Sequence, residues 1–269
     1  MHGPRTFRRL IEGAVLAWLL VAGAIAQGAS PPAAAASHPS LHFTMASYKF
    51  DVQDLDRKPD DLSMARNVEW RYPVFVDARD PATRALNAWL RQWAVRLLLG
   101  DGALAHQAVT LTDRELIAKA SVDPQFIDNG IDQVDIQPAR ALGRYRSFVA
   151  YEESTGGVHP VHGVDYMLYD LASRGQREVS DLFKPGSEDT LPELFDAQKR
   201  KGSNPCDFRE FGWPGAQLAD ADTLVFEYPY QPGQGVDCDV IQVKGPQVAR
   251  LLRSPRSLSP VFDLVEDKP

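Results

Sequence analysis

Two neighbouring stretches of this chain, Arg144-Tyr145-Arg146-Ser147-Phe148-Val149-Ala150-Tyr151 and Val164-Asp165-Tyr166-Met167-Leu168-Tyr169-Asp170-Leu171, change polarity at alternate positions and are rich in aromatic and β-branched residues. A period of two belongs to the pleated strand, whose side chains point to opposite faces in turn. The same pattern recurs at Val134-Asp135-Ile136-Gln137, with Ala141-Leu142-Gly143 between it and the next strand, and earlier at 41–50 and 68–76. A loop at 152–163 and a turn at Ser173-Arg174-Gly175 punctuate the central run, and strands at 223–228 and 239–243 close the pattern. Helical periodicity is confined to separate places. Asp80 and Pro81 form an N-cap and first-turn pair, and Leu86, Trp89, Leu90, Trp93 and Leu97 follow at three- and four-residue spacing before the stop at Gly100. The two tryptophans of that stripe read as core. Shorter helices are predicted at 112–120, 191–199 and 246–252. Strands in runs and helices set apart define an α+β protein with a largely antiparallel sheet and a few packed helices.

The N-terminus has a different character. Arg5, Arg8 and Arg9 precede an apolar run from Leu10 that ends Ala24-Ile25-Ala26. A basic start, a short apolar centre and a small-x-small end make a secretory signal over 1–26, with export to the periplasm expected. An Ala-, Ser- and Pro-rich tract over 27–40 reads as a flexible leader. The packed part divides into an expected smaller α/β half at 41–130 and a C-terminal half at 131–269. Of 269 residues, 29 are Lys or Arg and 36 are Asp or Glu, a net charge of −7 that argues against nucleic acid as a partner. In an oxidising compartment Cys206 and Cys238 can close a loop of about thirty residues, a stabilisation of about 3–4 kcal/mol by loop entropy. As two separate thiols they would pack as small apolar side chains.

No motif for covalent or metal-assisted catalysis stands in the sequence: there is no Gly-x-Ser-x-Gly elbow, His-Glu-x-x-His, phosphate loop or dinucleotide fingerprint. His159, His162 and Asp165 could supply imidazoles and a carboxylate, but Pro160 and Gly163 put them on a loop without a third fixed ligand. Asp220 and Asp222 lack the spacing of a calcium loop. The expectation is a binding protein, not an enzyme, with neither metal nor cofactor.

Three segments carry a family likeness. Tyr151-Glu152-Glu153-Ser154-Thr155-Gly156-Gly157-Val158-His159-Pro160, then Asp165-Tyr166-Met167-Leu168-Tyr169-Asp170-Leu171, then Val179-Ser180-Asp181-Leu182-Phe183-Lys184-Pro185-Gly186 resemble the RsiV-like domain. Phe226-Glu227-Tyr228-Pro229-Tyr230-Gln231-Pro232-Gly233 and the helix at 248–252 add to it, and the likeness spans about 41–252. It implies a mixed α/β domain that recognises lysozyme through loops entering the substrate cleft. Carried onto this chain, the partner-binding residues are Ser154, Thr155, Gly156, Gly157 and His159 on one loop and Tyr230, Gln231, Pro232 and Gln234 on another. The function so implied is a periplasmic inhibitor of a cell-wall hydrolase, either a lysozyme-like enzyme or a delivered peptidoglycan-degrading toxin for which it gives immunity. The alternative is a peptidoglycan-binding accessory module stacking sugars on Trp213, Tyr228 and Tyr230. Gln234-Gly235-Val236-Asp237-Cys238 departs from the family pattern, and the cysteines look like a local addition pinning this loop.

Overall fold

A computed structural model describes residues 38–52, 66–77, 79–129, 131–154, 161–198, 216–226 and 241–268. Their centre is a seven-stranded mixed sheet in the order β10-β1-β2-β3-β4-β5-β6. The strands are β1 (Ser40–Val52), β2 (Arg66–Phe75), β3 (Ile131–Leu142), β4 (Tyr145–Ser154), β5 (Val161–Asp170), β6 (Gly175–Arg177) and β10 (Asp263–Glu266). The β1–β2, β3–β4, β4–β5 and β5–β6 pairs are antiparallel, whereas β2–β3 and β1–β10 are parallel. The fold is α+β, as the strand runs require. Strands from both sides of residue 130 share this sheet, so the stretches 41–130 and 131–269 are joined by a continuous ladder.

A parallel pair cannot be joined by a tight turn. The β2–β3 crossover is supplied by α1 (Pro81–Leu99), α2 (Ala103–Gln107), α3 (Asp113–Ala120) and α4 (Pro124–Asn129). Asp80 caps α1 by accepting from the Ala82 and Thr83 amides, and Gly100 ends it at φ +61°. Leu86, Leu90, Trp93, Ala94 and Leu98 form the buried stripe and meet Trp70, Tyr72, Val134, Ile136, Phe148 and Tyr169 from the sheet. Burying each such side chain contributes about 1.5–3 kcal/mol before the entropy of ordering it. A complete capping box, Thr112 with Glu115, starts α3. Asp113 in its first turn accepts from the Tyr48 hydroxyl at 2.8 Å, from the Tyr72 hydroxyl and from Arg91 Nε at 2.7 Å, which ties the helix to β1, β2 and α1.

The opposite face of the β4 end carries a second core. Leu142, Tyr145 and Leu168 pack there with Leu182, Phe183, α5 (Ser187–Gln198), α6 (Pro246–Leu251) and a three-stranded sheet of β7 (Ala216–Leu218), β8 (Thr223–Phe226) and β9 (Ile241–Lys244). This accounts for burial on both faces of β4: Phe148 and Ala150 join the core under α1, whereas Tyr145 joins the second core. A register shift between Pro138 and Arg140 exchanges the faces of β3, so Leu142 joins the second core although Val134 and Ile136 belong to the first. Proline, lacking an amide hydrogen, suits that irregular place in the ladder.

After α6 the chain runs back across the β3–β4 turn. Gly143, at φ +52°, donates to Pro260 O at 2.7 Å, and the buried Arg146 donates to Gly143 O and Tyr145 O beneath the Phe262 ring. Burial without a carboxylate pushes Arg146 down to about 10. The return strand β10 then pairs with β1.

Candidate functional site

Of the residues predicted for partner binding, the described one, Ser154, lies on the β4–β5 hairpin. Its ladder continues further than the sequence suggested: Glu152 pairs with Gly163, Glu153 with His162 and Ser154 with Val161. The expected loop 152–163 is therefore corrected to strand at both ends, and 155–160 connects them. Gly163 lies directly beside Glu152 in this ladder, where a Cβ would make only ordinary contact at 3.5 Å from the Glu152 Cβ. Ser154 closes β4 and is half-buried. Thr155, Gly156, Gly157, His159, Tyr230, Gln231, Pro232 and Gln234 lie outside the described residues, as do Cys206, Cys238, Trp213 and Tyr228.

Carboxylates gather at the base of this hairpin. Glu152 is half-buried, and burial followed by the nearby Asp165 carboxylate holds its carboxyl above the ordinary glutamate range. Asp165 is exposed, and Glu153 is half-buried on the adjacent position of β4. Tyr151, 41% exposed, begins the same stretch. The alternation of the strands puts Glu152 and Asp165 on one face of this base and Tyr151 and Glu153 on the other, above strand halves clamped between two cores. The Glu152 and Asp165 face can receive basic or hydroxyl-bearing groups of a partner, and the pairing of β4 with both β3 and β5 holds it in shape.

Other candidates from the sequence have structural roles. The Asp222 amide donates to Asp220 Oδ1 at 2.9 Å, and the Thr223 hydroxyl donates to Asp222 Oδ1 at 2.9 Å, so this pair shapes the β7–β8 turn. His162 sits in β5 rather than on a loop. Among the described residues no group of three or more His, Cys, Asp or Glu could hold a metal ion, and no helix is long and apolar enough to cross a membrane. Trp93 is core, as expected. Trp89 packs on Trp93, Phe148 and Tyr169 yet also lines an open groove of about 490 Å³ between α1 and α2, which the helical stripe alone did not reveal.

No protein-family model and no curated protein matches this sequence. Among solved structures, the chain resembles a member of the DUF3298 family from Bacteroides fragilis, with 12% identity, coverage of 81% of this chain and 96% of that one, and a TM-score of 0.45. It also resembles a DUF3298 family protein from Pseudomonas aeruginosa, with 13% identity, coverage of 83% and 98%, and a TM-score of 0.47.

Proposed function

We propose that this chain is an exported, RsiV-like binding protein that blocks a cell-wall hydrolase by seating the 155–160 connection of the β4–β5 hairpin in the enzyme's cleft. The observation that supports this most is the support given to that connection. Its two ends are paired as far as Ser154 and Val161, and β4 is buried on both faces below them. Ends held this way fix where the connection leaves the sheet, the arrangement in which loops on a rigid scaffold serve recognition. The segment carries the Gly156-Gly157-Val158-His159-Pro160 sequence on which the resemblance to lysozyme-binding domains rests. Acidic residues at its base and a net charge of −7 would steer a basic hydrolase toward it.

Calorimetry of the full chain against a panel of lysozyme-like and other peptidoglycan-cleaving enzymes tests the reading. A one-to-one complex of micromolar or tighter affinity with at least one of them, accompanied by loss of that enzyme's activity, is the expected result. Retention on purified peptidoglycan with no enzyme bound would favour the accessory-module alternative and overturn the inhibitor reading.

A further inference from the structure

The large sheet is closed unevenly on its β1 side. β10 is four residues long and accompanies β1 only over 40–43, whereas β1 runs on to Val52. Among the described residues, no strand pairs with 44–52 on that side. Two hydrogen bonds give the direction of the backbone groups. The Val76 amide donates to His42 O at 3.1 Å on the β2 side, and the Asp267 amide donates to Phe43 O at 2.8 Å on the β10 side. Successive residues of a strand alternate in this respect, so Met45, Ser47, Lys49 and Asp51 turn their amides and carbonyls to the open edge.

An open edge is a template for further strands, and proteins commonly blunt it with charge. Here the charges are of both signs and two residues apart. Ser47, Lys49 and Asp51 are exposed on the face away from the helices. Tyr48, Phe50 and Val52 alternate with them on the helix side, where the Phe50 ring stacks on Phe126 of α4 with centroids 6.0 Å apart. Lys49 Nζ lies 3.4 Å from Glu69 Oε2 with 65% of its side chain exposed, and Asp51 Oδ1 accepts from Asn67 Nδ2 at 3.1 Å. An ammonium has three donors and a carboxylate about four acceptor positions, so each can serve a further partner across the edge.

We propose that this edge receives a second copy of the chain, the two β1 strands running antiparallel about a two-fold axis at Phe50. In that register Lys49 of each copy stands opposite Asp51 of the other, Phe50 opposite Phe50 and Tyr48 opposite Val52. Backbone and side chains agree. Lys49 and Asp51, whose amides and carbonyls face the edge, form the hydrogen-bonded pairs, and Phe50, whose groups face β2, forms the non-hydrogen-bonded pair in which side chains come closest. Opposite charges and aromatic rings directly across from each other are favourable cross-strand combinations. An axis at Lys49 or at Asp51 would set like charges against each other, and one at Tyr48 would put Ser47 opposite Lys49. The charge pattern therefore complements its own copy in one register, which is how an isologous interface rejects other strands. The segment 48–52 is as long as a typical strand. The hairpin lies beyond β2 and β3 from this edge, so each copy keeps its own, and the proposal stands or falls independently of the hydrolase reading.

Sedimentation velocity of the full chain at rising concentration tests it. An edge this short belongs to the small class of interfaces, so a reversible dimer with a micromolar Kd is expected. Lys49→Glu and Asp51→Lys should each weaken it about tenfold or more, because two attractive cross-strand pairs become repulsive. An equimolar mixture of the two variants should dimerise again, since the acidic edge of one then meets the basic edge of the other. The chain carrying both Lys49→Asp and Asp51→Lys should dimerise alone. Rescue by mixing separates loss of pairing from loss of fold. A chain that stays monomeric at millimolar concentration, a dimer indifferent to either exchange, or variants that remain monomeric when mixed would each overturn the proposal. So would Lys49 and Asp51 amides equally protected from hydrogen exchange at every dilution, which would put a segment of the same chain on the edge.

Discussion

Asp113 provides the sharpest test of how the helical layer is held to the sheet. One of its carboxylate oxygens accepts from both the Tyr48 and Tyr72 hydroxyls, and the other accepts from Arg91 Nε at 2.7 Å. Truncation to alanine removes three hydrogen bonds to a charged acceptor, each worth about 1.5–3 kcal/mol in isolation. The phenols share one oxygen, so the terms do not add fully. Arg91 and the buried Tyr72 hydroxyl would be left without their partner, and breaking a partly buried ion pair in this way costs about 3–5 kcal/mol. Asp113→Ala should therefore destabilise by about 3–5 kcal/mol, a large share of the roughly 5–15 kcal/mol that holds a typical domain together. Asp113→Asn keeps an acceptor but not the charge, and about 1–2 kcal/mol is expected. Urea unfolding followed by far-ultraviolet circular dichroism reads both, as a shift in midpoint at unchanged slope. A loss below about 1 kcal/mol for the alanine variant, or equal losses for the two, would refute the reasoning.

Three further outcomes follow from the same geometry. Gly143→Ala would place a Cβ 2.0 Å from Ser257 O at a φ of +52°, so a loss above about 3 kcal/mol and faster hydrogen exchange in 257–262 are expected; wild-type stability would contradict the close approach. The Tyr48 hydroxyl is pushed up to about 12, by burial and then by its hydrogen bond to Asp113, and Tyr72 is raised for the same reasons. Since unfolded tyrosine ionises near 10, the native state holds these protons longer, so stability is full below about pH 10 and falls as pH rises through 12; phenolate absorbance that titrates fully at pH 10 in the folded protein would contradict this. Glu152 is also raised, chiefly by burial, so its contribution is lost as pH climbs through its folded value, and Glu152→Gln should be more stable than wild type at pH 7 while binding a basic target less tightly. A less stable glutamine variant would show that the carboxylate is paired rather than strained.

Much of this architecture is legible in the sequence because it rests on local chemistry. Asp80-Pro81 and Gly100 fix the limits of α1 through capping and a left-handed stop, and Thr112 with Glu115 caps the start of α3. What depends on distant contacts was hidden. β10 pairs in parallel with β1 across more than two hundred residues, and nothing within Asp263–Glu266 announces it. Proline at 138 marks the β3 irregularity only once the partner strand is known, since the phase change shows in which core Leu142 enters. The loop assigned to 152–163 shortened because Glu152, Glu153 and Gly163 have low strand propensity, which pairing with a stable neighbour overrides. For the candidate site, the sequence pointed to the hairpin through its Gly-Gly and His-Pro pairs. The groove at Trp89 needed the third dimension, because its lining comes from α1, α2 and β6 together.

The inhibitor account is tested most directly by exchanging 155–160 for a glycine-serine segment of equal length and measuring residual activity of a bound hydrolase as either protein is added in rising ratio. The account predicts complete loss of activity at one equivalent of the natural chain and none with the exchanged one, at matching melting temperatures. Equal inhibition by both would contradict it.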